Sequence, residues 1–264
     1  MVFQSPGDIC FRIFGFPVYN YGITMALACF VGVYISYLMF KKYNSDKDYE
    51  IIWDFAVWIL LFGIIGARLY YCFLNYEYYA HFPLQIMNIR QGGLSVHGGI
   101  IGGVLAIMLG ARKYKLPLLN LLDCFACGTC LAQAVGRWGN FFNSEAFGYP
   151  TNLPWKLYIP IEHRPSQYID YEFFHPTFLY EGILDVLLFA VLYFCMKKFA
   201  KLRSGATFGF YLVLYSIIRL FVESFRVDSA LDVLGIPIAK IVSVILIFIG
   251  TVILISTFSK KQTD

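Results

Sequence analysis

The residues best suited to chemistry in this sequence are arginines set beside carboxylates, amides and glycines. Tyr215, Arg219, Glu223 and Arg226 follow one another at steps of four, four and three. On a helix such steps put all four side chains on one face, with Arg226 about 10 Å beyond Arg219 at ~1.5 Å per residue. One acid against two bases leaves a surplus positive charge. We read Glu223 as orienting the arginines while one of them meets an anionic group.

A denser run is Gly136-Arg137-Trp138-Gly139-Asn140-Phe141-Phe142-Asn143-Ser144-Glu145-Ala146-Phe147-Gly148. The planar fork of Arg137 suits a phosphodiester, and Asn140, Asn143 and Glu145 can hold that fork or bind hydroxyls. An ordinary interfacial turn uses Gly and Asn but has no need of Arg, two Asn and Glu together. The run is expected to leave a helix at Gly136 as non-helical backbone, which membrane depth tolerates only where it lines a cavity or is buried in protein. A third run is Gln91-Gly92-Gly93-Leu94-Ser95-Val96-His97-Gly98-Gly99. Glycines let backbone approach a ligand, and a helix N-terminus offers free N–H groups to a phosphate. His97 among them can act as a base near neutral pH. The spacings Gly98/Gly102 and Gly99/Gly103 also suit close helix packing.

These groups are carried on a very apolar chain. Of 264 residues, 59% are hydrophobic and 14% charged, with a mean hydropathy of +0.63; soluble domains carry about 25% charge. The net charge of +4 comes with no basic run of the kind that binds nucleic acid, so no nucleic-acid partner is expected. The seven cysteines are odd in number and sit mostly in apolar runs, which is no disulfide framework. Cys124, Cys127 and Cys130 lack a second ligand pair and read as packing residues. No basic region precedes the first apolar stretch, so a cleavable signal peptide is not expected.

A helix needs about 20 apolar residues to cross a bilayer. By that measure seven candidates are counted, the third of them short and Gly-rich: Val18–Phe40, Ile51–Leu74, His97–Ala111, Leu118–Gly136, Pro176–Met196, Ala206–Phe225 and Ile236–Phe258. The expected fold is therefore an all-α polytopic membrane protein, a single transmembrane domain over residues 1–264. Basic residues favour the cytoplasmic side. They gather in alternate connections: Lys41, Lys42 and Lys47; Arg112, Lys113 and Lys115; Lys197, Lys198, Lys201 and Arg203; then Lys260 and Lys261. That places the N-terminus outside and the C-terminus in the cytoplasm. The long segment Phe141–His175 then lies outside, and its prolines and aromatics suggest a small ordered cap over about residues 141–175.

On this topology the costly polar groups gather at one level, near the outer face. Tyr21, Arg68, His97, Arg137, His175, Arg219, Glu223 and Arg226 all fall there, though helices running in opposite directions carry them. The cytoplasmic half offers little beyond Asp54 and Asp123, so a conduction path through the whole thickness, as in a transporter, is disfavoured. Asp185, near the middle of the fifth span, has no account in this reading. His and carboxylates do not cluster with ligand spacing, so no metal is expected. The clustered Asp residues of metal-dependent phosphatidyl transferases are absent too.

The run Gly136–Gly148 resembles the signature of the phosphatidylglycerol–prolipoprotein diacylglyceryl transferase family. His97-Gly-Gly, His175-Pro-Thr-Phe-Leu-Tyr-Glu181, Arg219-x-x-x-Glu223-x-x-Arg226, Tyr21-Gly22 and Gly66-Ala-Arg68 are similar to further segments of that family, in order, from about residue 18 to 232. Phe178, where some members carry Gln, and Trp138, usually another apolar residue, depart from it. The resemblance implies a bacterial multi-pass enzyme of the cytoplasmic membrane with its active site toward the extracytoplasmic face. Its substrates would be phosphatidylglycerol and prolipoproteins bearing a lipobox cysteine, without a cofactor. The diacylglyceryl group would pass to the thiol, forming a thioether and releasing glycerol 1-phosphate. In that scheme Arg137 and Arg219 meet the headgroup phosphate and His97 is the base. Asn140, Asn143, Glu145 and Gly148 shape the headgroup site, Glu223 orients Arg219, and Tyr21 and Arg226 line it.

Overall fold

The computed structural model describes residues 2–44, 46–89, 92–200, 203–227, 232–233 and 235–259. Gln91, Lys201, Lys260 and Lys261, used above, lie outside the described residues. In chain order the elements begin with strands β1 (Phe3–Gln4), β2 (Ile9–Ile13) and β3 (Phe16–Tyr19). Helices α1 (Asn20–Tyr43), α2 (Ile51–Leu74) and α3 (Tyr76–His81) follow, then a 3-10 turn (Pro83–Met87), α4 (Val96–Lys113) and α5 (Leu118–Phe142). After β4 (Leu157–Tyr158) and β5 (Phe173–Phe174) come α6 (Thr177–Phe199), α7 (Ala206–Glu223), β6 (Asp232–Val233), β7 (Ile236–Pro237) and α8 (Ile238–Ser259).

Among the described residues six helices are long and apolar enough to cross a membrane: α1, α2, α5, α6, α7 and α8. The chain is a polytopic, mostly helical membrane protein. α4 occupies the third expected span but is outside that set; its 18 residues hold several glycines, His97, Arg112 and Lys113. Two expected boundaries are corrected. α5 does not stop at Gly136 but carries Arg137, Gly139 and Asn140 in helical backbone to Phe142. An internal Gly costs a helix only about 1 kcal/mol, and packing overrides it. α7 ends at Glu223, not Phe225. Its chain leaves through i→i−3 turn bonds (Ser224 N–H to Phe221, Phe225 N–H to Val222), and the Phe225 carbonyl is taken by the Tyr149 N–H at 2.9 Å. Arg226 therefore lies beyond the helix, bridged to Gly148, with its N–H on the Glu223 carbonyl at 3.3 Å.

The chain forms two compact units, Tyr37–Leu122 and Met1–Ser36 with Asp123–Asp264. In the first, α2 and α4 pack through glycines at backbone distance. A Cβ on Gly98 would overlap the Gly66 carbonyl, and one on Gly102 the Phe62 carbonyl. The small-residue spacing thus serves close helix contact, as its sequence pattern suggests. Asp54 accepts the Tyr114 hydroxyl at 2.7 Å.

In the second unit α6, α7 and α8 pack in series. Buried Asp123 on α5 accepts the backbone N–H groups of Gly205 and Phe208, both at 2.7 Å. It caps the N-terminus of α7, where free N–H groups and the dipole favour an anion. Asp123→Ala leaves those donors unpaired, at about 1–3 kcal/mol. We expect a lower thermal unfolding midpoint in detergent with Asp123→Asn intermediate; an unchanged midpoint for both would remove the cap from the account. Cys124, Cys127 and Cys130 are buried, and Cys130 Sγ donates to the Asp185 carbonyl at 3.0 Å.

The segment after α5 is ordered. β1 pairs in parallel with β4, and β4 antiparallel with β5. Beneath this sheet Phe141, Phe147, Leu157, Ile159, Phe174 and Phe178 form one buried cluster. Each such side chain contributes about 1.5–3 kcal/mol by leaving water, which holds a segment poor in regular structure.

Candidate active site

Three helices of the second unit bring their charged residues together. The last turns of α5 supply Arg137 and Asn140, the second turn of α6 supplies Glu181, and α7 supplies Tyr215, Arg219 and Glu223. Glu181 is the hub. Its Oε1 accepts Arg137 Nη2 at 2.5 Å and its Oε2 accepts Arg219 Nη1 at 3.1 Å. Arg219 Nη2 also bonds Glu223 Oε2 at 2.6 Å, the expected i,i+4 pair. The Tyr215 hydroxyl donates to Glu181 Oε1 at 3.4 Å. At the other end Arg137 Nη1 reaches Asn140 Oδ1 at 3.5 Å, and Asn140 Nδ2 donates to Glu145 Oε1 at 2.9 Å.

This network corrects the charge count made from α7 alone. Arg137 and Arg219 face Glu145, Glu181 and Glu223, so the positive surplus disappears. What remains is an arrangement by depth. The side chains of Glu181 and Glu223 are 2% and 3% exposed, those of Arg137 and Arg219 18% and 15%. The carboxylates are the more deeply buried groups, while each arginine side chain keeps some accessible surface. Fixed donors of this kind can receive an anion without reorganising. Asp185, one helical turn along α6 from Glu181, is 0% exposed, and its carboxyl has no hydrogen-bond partner among the described residues. The i,i+4 spacing sets Asp185 on the same face of α6 as Glu181, which ties this residue, left without an account by the sequence, to the same cluster.

Beyond α5 the chain turns sharply. Ser144 and Ala146 adopt left-handed backbone, with φ of 53° and 57°, a strained state for residues with a Cβ. The turn is pinned by the Glu145 N–H to the Asn140 carbonyl at 3.0 Å and by the Thr177 hydroxyl on the Ala146 carbonyl. The Gly148 N–H donates to the His175 carbonyl at 2.9 Å, so Gly148 ties this turn to the chain entering α6. The Asn143 N–H closes the last turn of α5 on Gly139. The Tyr21 ring lies over Gly139, where a Cβ would sit 2.9 Å from it. Tyr21 is also within electrostatic reach of Glu145 and Arg137. The structure therefore assembles Tyr21, Arg137, Asn140, Glu145, Arg219 and Glu223 and places Arg226 at the edge, beside Gly148.

His97 and Arg68 belong to the other unit. His97 stands in the first turn of α4, half-buried, its ring 6.2 Å from that of Tyr70. Arg68 donates only to backbone carbonyls of the chain leading to α4.

His175 lies on the chain entering α6, where its carbonyl accepts the Gly148 N–H. Its Nδ1 lies 3.1 Å from the Tyr180 hydroxyl, whose oxygen accepts Trp155 Nε1–H at 3.0 Å. Indole only donates, so the Tyr180 oxygen is the acceptor of the Trp155 bond. Burial holds the His175 imidazole below the usual histidine range. The unfolded chain then binds this proton more readily. The contribution to stability is complete above about pH 6.5 and is lost as pH falls through the lowered folded value. We expect the unfolding midpoint to fall from pH 7 to pH 5, less steeply in His175→Gln; parallel slopes would contradict it.

Glu181 is the functional residue that sequence reasoning left without a role. The available signal was the pair Glu181 and Asp185, two acids at i,i+4 on an otherwise apolar helix.

Comparison with known proteins agrees with the motif resemblance. The family model described as prolipoprotein diacylglyceryl transferase matches residues 8–256. The chain is 41% identical over 266 residues to the phosphatidylglycerol–prolipoprotein diacylglyceryl transferase of Nostoc sp. (strain PCC 7120), covering 99% of this chain and 93% of that one. The protein of the same name from Synechocystis sp. is 42% identical over 254 residues, 94% of this chain and 88% of that one. That of Fervidobacterium nodosum is 41% identical over 251 residues, covering 92% and 82%.

Proposed function

The chain belongs to the prolipoprotein diacylglyceryl transferase family, and from that premise we propose that it moves the sn-1,2-diacylglyceryl group from phosphatidylglycerol to the lipobox cysteine of a prolipoprotein. The thiolate sulfur attacks the glyceryl carbon that carries the phosphate. A C–S bond forms, the C–O bond breaks, and its electron pair leaves on glycerol 1-phosphate. The single observation that carries this reading is the arginine pair held on Glu181. Arg137 and Arg219 meet the headgroup phosphate in this reading, so charge developing on the leaving group meets fixed cations.

Glu181 and Glu223 orient the guanidiniums in this reading. Asn140, Asn143, Glu145 and Gly148 shape the headgroup pocket, with Tyr21 and Arg226 lining it. His97 takes the thiol proton; a thiol with pKa near 8.5 gains nucleophile as a base raises its thiolate fraction. The spans are seven, α4 included, with the N-terminus outside and the site toward the extracytoplasmic face of the bacterial plasma membrane. The positions of the basic residues support that orientation.

The function is tested by incubating purified protein with acyl-labelled phosphatidylglycerol and a lipobox peptide. Label should join the peptide, and a Cys→Ser peptide should stay unlabelled; no transfer to the cysteine peptide would sink the reading. For the base, His97→Gln should lower turnover far more than lipid affinity. A defect in affinity alone would remove His97 from that role.

A further inference from the structure

A loop that lies in water can leave its carbonyls to the solvent, whereas one that lies in lipid must satisfy them within the protein. The stretch Phe82–Ile89, a 3-10 turn with irregular flanks, meets the second requirement in an unusual way. Arg68 rises from α2, a helix of membrane-spanning length, and is itself buried. Its Nε donates to the Ile86 carbonyl at 2.8 Å. Nη1 donates to Gly92 at 2.9 Å and Gly93 at 3.0 Å, and Nη2 to Gln85 at 2.5 Å and Asn88 at 3.0 Å. A guanidinium has five N–H donors, and all five are spent on backbone carbonyls. The amides of Gln85 and Asn88 bond each other at 3.1 Å.

The other side of the same stretch is apolar. Leu84 is 87% exposed and Met87 83%, with Phe82 and Ile89 also exposed. On α2 too, a helix of spanning length, Ile65, Leu69 and Phe73 are exposed. Tyr76 and Tyr78 stand exposed on the adjoining α3, the residue type enriched where membrane meets water. Water would hydrate these carbonyls without help, and would penalise the apolar face.

We propose that Phe82–Ile89 is immersed in the bilayer, with Leu84 and Met87 among lipid acyl chains and Arg68 standing in for water on the carbonyls of the segment and its flank. The inference rests on membrane residence alone and holds whatever reaction the protein performs.

The test places a benzoylphenylalanine photocrosslinker at Leu84 in the full chain, in vesicles of phosphatidylglycerol and phosphatidylethanolamine, with Phe73 on α2 as the lipid-facing reference. Irradiation should give a phospholipid adduct at position 84, as at 73. No lipid adduct at 84 while 73 labels, or a crosslink from 84 to a second copy, overturns the proposal. Arg68→Lys keeps the charge but cannot make five bonds. It should lose most of the adduct at 84, keep that at 73, and speed deuterium exchange over residues 82–89; unchanged exchange and labelling would rule out the part given to Arg68. Should the variant fail to fold, the crosslink on the unaltered segment still decides where it lies.

Discussion

Arg137→Ala is expected to abolish diacylglyceryl transfer, with a fall of at least about 100-fold, the range seen when one fixed donor to a developing oxyanion is removed. Two effects act together. The headgroup phosphate loses a cation, and buried Glu181 loses its 2.5 Å partner. Breaking a buried ion pair from one side costs about 3–5 kcal/mol, because the remaining charge is left uncompensated. The assay therefore needs protein shown to be folded by circular dichroism and a thermal melt. Arg137→Lys separates the effects: it keeps the charge beside Glu181 but loses the planar fork, and should retain stability better than activity. Near wild-type turnover in a folded Arg137→Ala protein would remove the phosphate assignment.

Glu181→Gln discriminates further, because two accounts of the site give opposite outcomes. If net positive charge alone attracted the phosphate, removing a carboxylate would leave transfer unchanged or improve it. If Glu181 works by holding two like-charged guanidiniums in one geometry, its loss lets them part. A misplacement of about 1 Å can cost roughly 100-fold in rate. We expect turnover to fall by about that factor while affinity for phosphatidylglycerol is kept or rises, measured as separate kcat and KM values. A rise in KM at constant kcat would show Glu181 acting in ground-state binding instead.

How far the sequence could be read depended on whether a residue's partners were local. Six of the apolar spans, the Arg219–Glu223 pair and the close packing of the α4 glycines follow from periods within a single helix, and each was legible. The hub was not, since Glu181 sits on α6 and its partners Arg137 and Arg219 lie on α5 and α7. Counting charge on α7 alone consequently gave the wrong balance. The helical backbone beyond Gly136, through Gly139, is hidden because glycine propensity argues against it, while the Tyr21 ring over Gly139 argues for it. The early end of α7 depends on a backbone bond from Tyr149, far away in sequence. The five acceptors of Arg68 are carbonyls, which no residue type marks. The left-handed Ser144 and Ala146 were likewise hidden, because glycine is the usual signal for such backbone.

The central claim is that the arginines gathered on Glu181 receive the phosphate of the lipid headgroup. A structure of the protein with phosphatidylglycerol bound tests it directly. The account predicts phosphate oxygens about 3 Å from guanidinium nitrogens of both Arg137 and Arg219, with Glu181 still bridging the pair. A phosphate bound away from both arginines, with the Glu181 network closed and untouched, would contradict it.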